Sequence, residues 1–458
     1  MSWAFARWRI NIMSKSSDIL KPFTDAKALM EDRIESGIEY GRKGVLSIGV
    51  FHADHSPVAG CKIKARQRKL DFNFGANIFM LEGLASEEQN RAYEERFAAV
   101  FDLATVPFYW STLEPEPGKP RYTRDSPPIY RRPPPDVCLE FCEKYGIEPK
   151  AHCLNYEYWA PDWSLGTVEE EKRHLMKRFR ELAERYASRI PSWEVTNETF
   201  RRHKSRPSSF YLCRDFVDWS FKMADRYFPG NRLIMNEDMP TTFGDNFFFG
   251  QNSPYYQKVE RALAHGVRID MLGMQYHIFM REESVAEKAR VYYDPERLYD
   301  VLDTYEKLGR KLQITEMTIP AYHWAEEDEA LQAEIIRNLY SIWFSHPAMS
   351  GVVYWNLVDG YAYAPGPNPH DMNSGENYYH GGLFRFDMTP KPAYYVLKEL
   401  IKKTWRTDAD VETKANGLSD FKAFYGSYDV EITLPDGKIL NRTVNFTRGG
   451  HRRFDYVV

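Results

Sequence analysis

The stretch "IPSWEVTNETF", Ile190 to Phe200, carries a β-branched and apolar run that ends abruptly in Asn197-Glu198. The run predicts a strand over Ser192–Asn197. A carboxylate at the mouth of a buried strand is costly unless something pairs with it or uses it. Two readings stand at that point. Glu198 is a structural acid satisfied by a neighbour, or it is one half of a catalytic pair.

Working outward, the same strand-then-helix pattern recurs. The further predicted strands are Phe72–Asn77, Leu103–Val106, Glu148–Leu154, Arg232–Asn236, Met271–Gln275, Leu312–Thr315 and Gly351–Trp355. Between them lie amphipathic segments such as "SEEQNRAYEERFAAVF" and "EEEKRHLMKRFRELAERYASRI". Short strands alternating with helices predict an α/β fold, a (β/α)8 TIM barrel over 71–405. Residues 1–43 read as a polar lead with one amphipathic helix, roughly Thr24 to Ser36. Residues 44–70 alternate with period two and turn at His55-Ser56-Pro57, which predicts a β-hairpin. Residues 406–458 alternate again around Pro435-Asp436-Gly437, which predicts about four strands. Neither flank can stand alone, so the two are expected to pack into one small accessory β module.

Composition narrows the function. The 458-residue chain is 43% hydrophobic and 28% charged, the balance of a globular protein. Its net charge of -4 argues against a nucleic-acid binder driven by phosphate contacts. "RRHK" at Arg201–Lys204 and the C-terminal "HRR" read as solvated loops. Aromatic residues make up 15%, which suits a carbohydrate site, because sugar rings present flat C–H faces that stack on aromatic rings. Cys61, Cys138, Cys142, Cys153 and Cys213 are odd in number and form no spacing framework, so no disulfide scaffold is expected. Cys138 and Cys142 lack a second Cys/His pair and read as buried hydrophobes, so no metal or cofactor is expected. No apolar run reaches the length of a membrane span. Arg7 and Arg9 interrupt the apolar N-terminus, a poor secretory signal, which leaves a cytoplasmic protein or a trimmed secreted or periplasmic one. Nothing in the chain indicates its oligomeric state.

Chemistry in such a barrel sits where the strands end at the C-terminal face. Those positions carry Glu198, Glu316 in "LQITEMTIP", Gln275 and His277 in "GMQYH", His152, and Trp355 and Asp359 in "YWNLVDG". Two carboxylates flanking one bond is the arrangement for glycoside hydrolysis, one protonated as acid and the other ionised as nucleophile or base.

In this pattern the chain resembles glycoside hydrolase family 10, the retaining endo-β-1,4-xylanases. "WEVTNE" is similar to W-D-V-V-N-E, "ITEMTI" to I-T-E-L-D-I and "GMQYHI" to G-x-Q-x-H. "HCLNYEYWAPDW" is similar in spacing to H-T-L-V-W-H-x-Q-x-P-x-W, and "GLFRFDMTPKPAY" to the closing L-L-F-D…P-K-P-A-Y. The likeness runs in order from about Phe72 to Leu400. It implies Glu198 as acid/base and Glu316 as nucleophile. It implies that Asn197 binds the sugar 2-hydroxyl, that His152, Gln275 and Trp355 line the same subsite, and that His277 holds Glu316 ionised.

The departures concern substrate. Where the family has E-N-x-M-K-W, this chain has "TVPFYW", so the Glu, Asn and Lys of the glycone side become Thr105, Val106 and Tyr109. Tyr156 and Glu157 replace a Trp and a His, Thr318 replaces the Asp that supports the histidine, and Tyr363 replaces a loop Trp. Glu157 reads equally as a contact to a substrate hydroxyl or as a partner for an Arg. The expected function is a retaining β-glycoside hydrolase, xylanase-like, acting on a β-linked polysaccharide or oligosaccharide. The alternatives are the same mechanism on another β-linked glycan or glycoconjugate, and a glycan-binding protein on a decayed barrel.

Overall fold

The computed structural model describes residues 17–201 and 208–458. The apolar N-terminus with Arg7 and Arg9, and most of the "RRHK" run, lie outside them.

Two strands precede the barrel, β1 (Lys43–Phe51) and β2 (Lys62–Leu70). The barrel strands are β3 (Asn73–Asn77), β4 (Leu103–Pro107), β5 (Glu148–Asn155), β6 (Ser192–Asn197), β7 (Arg232–Glu237), β8 (Met271–His277), β9 (Lys311–Thr318) and β10 (Met349–Tyr354). They pair in parallel in chain order, and β10 closes on β3 through Gly351 opposite Asn73. The predicted strands fall on these eight, with ends displaced by up to a few residues. The connecting helices bury one stripe against the barrel. That over Val168–Tyr186 starts in a capping box, Thr167 with Glu170, which satisfies two backbone donors of its first turn. Because every strand points the same way, all eight C-terminal ends share one rim.

The flanks build two further sheets with β11 (Asp408–Glu412), β12 (Leu418–Phe424), β13 (Gly426–Thr433), β14 (Ile439–Phe446) and β15 (Arg453–Val457). One sheet runs β12-β1-β15, the other β11-β2-β13-β14. The C-terminal flank thus contributes five strands where four are predicted. The predicted hairpin over 44–70 does not form: β1 and β2 lie in different sheets. Leu46, Ile48 and Val50 of β1 and Ile63 and Ala65 of β2 are buried in one shared core, so the strands stack face to face. Period-two alternation looks the same for a strand beside its neighbour and one facing it, and this led to the hairpin expectation.

The two sheets sit under the barrel, against the N-terminal ends of its strands. Lys69 Nζ reaches Glu148 Oε2 at 3.0 Å, and Trp405 stacks on Phe344 with ring centroids 4.3 Å apart. The N-terminal lead is helical over 17–25 and again over Lys27–Gly41, where one helix over roughly Thr24 to Ser36 is predicted, and the second helix runs past the predicted end. Gly37 carries it on, because a Cβ there would meet the Ser345 carbonyl oxygen at 2.4 Å; only glycine lets the two helices approach so closely. Arg42, directly after this helix, donates to the carbonyls of Phe344 (2.6 Å), His346 (2.6 Å) and Met349 (2.8 Å). These lie at and just beyond the end of helix Glu326–Ser345, where unpaired carbonyls favour a cation.

Candidate active site

A cleft of about 590 Å³ opens at the C-terminal rim. It is lined by Glu198, Glu316, Asn197, His152, Tyr156, Gln275, His277, Tyr109, Trp355 and Tyr363, each singled out from the sequence. Glu157 is not among the lining residues. It opens the short turn Glu157–Trp159, and that turn delivers Tyr158 and Trp159 to the cleft instead. Thr105 and Val106 are buried in the barrel wall and do not line the cleft. Asp359 is also buried elsewhere, held by Lys391 Nζ at 2.6 Å and Trp324 Nε1 at 2.8 Å.

Glu198 follows the last residue of β6 with φ +49°, a left-handed backbone that side chains rarely adopt and that concentrates at functional positions. Its Oε1 accepts from Gln275 Nε2 at 3.1 Å, and its Oε2 accepts from the Tyr156 hydroxyl at 2.8 Å. Arg201 Nε stands 3.6 Å from the same Oε2 and 2.5 Å from Asp238 Oδ2. The first residue of the basic run is therefore half-exposed at the cleft edge and engaged with two carboxylates.

Glu316, within β9, is buried. Its Oε1 accepts from Asn236 Nδ2 at 2.9 Å and Gln275 Nε2 at 3.0 Å. Its Oε2 lies 3.2 Å from His277 Nε2. Burial raises this carboxyl above the ordinary range; His152 opposes the rise, while Glu194 and Glu198 add to it. His277 is pulled down to about 4, chiefly by burial, so it is neutral near pH 7. Its Nδ1 lies 3.0 Å from Thr318 Oγ1. The matching tautomer gives the Nε2 proton to Glu316 and accepts the Thr318 hydroxyl at Nδ1. Thr318 thus fills the place of the expected aspartate with a neutral partner.

Asn197 Oδ1 accepts from Asn236 Nδ2 at 2.7 Å and Gln275 Nε2 at 3.3 Å. Both donors arrive at the oxygen, which leaves its Nδ2 for a ligand. Behind this layer, Lys150 and His152 both bond Glu194. Lys150 and Glu194 are fully buried, and such a pair persists only when each partner is satisfied. His152, Glu194 and Glu316 are close enough to hold a metal ion, but the Lys150 ammonium already supplies the positive charge there. Phe79, Tyr109 and Trp355 form a buried aromatic cluster with Tyr156 and Trp159 against it.

Asn236, Lys150, Glu194, Trp159, Phe79 and the pair Arg131 and Arg132 join the site without having been singled out from sequence. Asn236 had a usable signal: it ends the predicted strand Arg232–Asn236, and in β7 it stands in register with Asn197 on β6. The arginines sit in a loop without periodicity.

An eight-stranded parallel barrel whose C-terminal rim brings two carboxylates to one amide has the architecture of the barrel glycosidases. Within that class the chain belongs to glycosyl hydrolase family 10, whose sequence pattern matches residues 88–400. Anti-sigma-I factor RsgI6 of Acetivibrio thermocellus is 24% identical over 424 residues, 91% of this chain and 48% of its own length. Endo-1,4-beta-xylanase 2 of Arabidopsis thaliana is 24% identical over 408 residues, 85% of this chain and 32% of its own length. Endo-1,4-beta-xylanase B of Thermotoga neapolitana is 23% identical over 302 residues, 64% of this chain and 78% of its own. The chain therefore spans about half the length of the first of these relatives and a third of the second. The crystal structure of xylanase 10B from Thermotoga petrophila RKU-1 in complex with xylobiose superposes with a TM-score of 0.57 at 22% identity, covering 73% of this chain and 95% of that one; at that identity the likeness speaks to fold. No helix among the described residues is long and apolar enough to cross a membrane.

Proposed function

We propose that the protein is a retaining β-glycoside hydrolase, xylanase-like in mechanism, that cleaves a β-linked polysaccharide or oligosaccharide by double displacement. One observation carries this reading: Gln275 Nε2 is bonded to an oxygen of both Glu198 and Glu316. A single nitrogen at hydrogen-bond distance from both holds these two facing oxygens within about 6 Å, which favours the close pair of a retaining enzyme over the wider ~6.5–9.5 Å separation that seats a water between the carboxyl groups of an inverting one.

In this mechanism Glu198 gives its proton to the glycosidic oxygen as Glu316 attacks the anomeric carbon. Glu198 then takes a proton from the water that releases the sugar. Asn236, Gln275 and His277 donate to Glu316 and favour its ionised form against the effect of burial. Asn197 offers Nδ2 to the 2-hydroxyl, and His152, Gln275 and Trp355 bound the same sugar. Glu198→Gln and Glu316→Gln are each expected to lower turnover of an activated aryl β-glycoside by about 10³-fold or more. Unchanged turnover in both variants contradicts the reading.

The altered residues favour a second reading, the same mechanism on a β-linked glycan other than plain xylan. Thr105 and Val106 are buried away from the cleft, Tyr109 replaces a cation with a ring, and a site lacking particular hydrogen-bonding groups no longer selects the sugar those groups matched. A product screen over xylan, mixed-linkage glucan and marine polysaccharides tests this. Preferential hydrolysis of plain xylan overturns it.

A further inference from the structure

The cleft contains a cation that this mechanism does not use. Between β4 and the helix Pro135–Tyr145, the chain brings Arg131 and Arg132 to the cleft wall. Arg131 is committed to the protein: its guanidinium donates to the Tyr361 carbonyl at 2.5 Å and to Asn356 Oδ1 at 3.0 Å. Arg132 is not. It is only 9% exposed, yet among the described residues its side chain makes a single hydrogen bond, from Nη1 to the Arg131 carbonyl at 2.8 Å. Its Nε is buried without a partner, and among the described residues no carboxylate forms an ion pair with it. Glu376, in the same cleft, is held instead by Asn356 Nδ2 at 2.6 Å.

What surrounds Arg132 is aromatic. Its guanidinium carbon lies 4.0 Å from the centre of the Tyr109 ring, 4.9 Å from that of Trp159 and 5.4 Å from that of Phe79. Ring faces offset part of the cost of burying a cation, but they leave Nε without a hydrogen-bond partner, and among the described residues Nη2 donates to no protein acceptor. These two nitrogens form the fork that grips two oxygens of a carboxylate or sulfate. Burial lowers this guanidinium only to about 10, so it is charged at neutral pH. The position is within the glycan cleft: Tyr109 in turn packs on His152, with centroids 5.0 Å apart, and His152 Nδ1 is 3.9 Å from Glu316.

We propose that Arg132 forms an anion-recognising subsite on the β3–β5 side of the cleft, so that the substrate carries a carboxylate or a sulfate ester on the sugar bound there. The proposal rests on the cleft being a glycan site, as argued above. A neutral hydroxyl would offer the fork one acceptor and leave the guanidinium without an ion-pair partner. An anionic group supplies both oxygens and the countercharge.

The test uses the full chain carrying Glu316→Gln, titrated with xylotetraose, the same tetraose bearing a glucuronic acid, and the same tetraose bearing a sulfate ester. One charged ligand is expected to bind at least tenfold tighter than the neutral one, and which of the two it is identifies the anion. Adding Arg132→Gln is expected to bring that ratio to within threefold of one. Should that variant fail to fold, Arg132→Lys keeps the charge and removes the fork, and the ratio is expected to fall at least threefold. Neutral binding as tight as charged binding, or a ratio that survives both substitutions, overturns the subsite. Absence of binding by all three overturns the subsite, and the glycan reading beneath it falls as well only if the unsubstituted chain also fails to turn over an activated aryl β-glycoside.

Discussion

Glu198 and Glu316 share one amide donor but occupy different surroundings. Glu198 keeps 14% of its side chain exposed, with Tyr156 and Gln275 on its two oxygens, while Glu316 keeps 5% and meets three uncharged donors. The partner behind His277 sets how readily Glu316 ionises. Thr318→Asp would place a carboxylate beside Nδ1, where the Thr318 hydroxyl now lies at 3.0 Å, favour the imidazolium, and set a positive charge 3.2 Å from Glu316 Oε2. An opposite charge at that range lowers a carboxyl pKa. If Glu316 acts as the ionised nucleophile, activity rises with pH as it deprotonates, so the acidic limb of kcat/KM should move down by about one pH unit. A pH profile checks this, and an unmoved or alkaline-shifted limb contradicts it. Both glutamates were legible in the sequence because a carboxylate after an apolar strand stands out. Arg132 was not, because a loop has no period that says where its side chains go.

Strands were the most legible elements, since apolar runs bounded by polar residues mark a buried parallel sheet from one chain alone. What was not legible is which strand meets which outside the barrel, as β1 and β2 show, and where a helix ends once packing overrides propensity, as at Gly37. The Arg42 clamp is the clearest tertiary device among these elements. It joins the end of helix Lys27–Gly41 to three carbonyls near the end of another, both far apart in the chain. Arg42→Ala would leave those buried carbonyls unpaired and is expected to cost about 3 kcal/mol, measured by denaturant unfolding. A loss below about 0.5 kcal/mol would show that water replaces the guanidinium.

The molecule is organised around the barrel axis: the cleft occupies one end and the two accessory sheets close the other. β1 and β2 depend on strands from the far end of the chain for their partners. Deleting 406–458 would strip both strands of their ladders and expose Leu46, Ile48 and Ile63, an aggregation-prone edge. The truncated chain is expected to unfold at a clearly lower temperature than the full chain or to aggregate, whereas an unchanged unfolding temperature would make the sheets an independent appendage. The central claim concerns the opposite end, where Glu316 is proposed to bond covalently to the sugar. The most direct measurement is to incubate the full chain with activated 2-deoxy-2-fluoro β-glycosides and map the adduct by peptide mass spectrometry. The account predicts a glycosyl adduct on the peptide containing Glu316 and none on the peptide containing Glu198. An adduct on Glu198 or on any other residue, or turnover of these glycosides with no adduct, would contradict it.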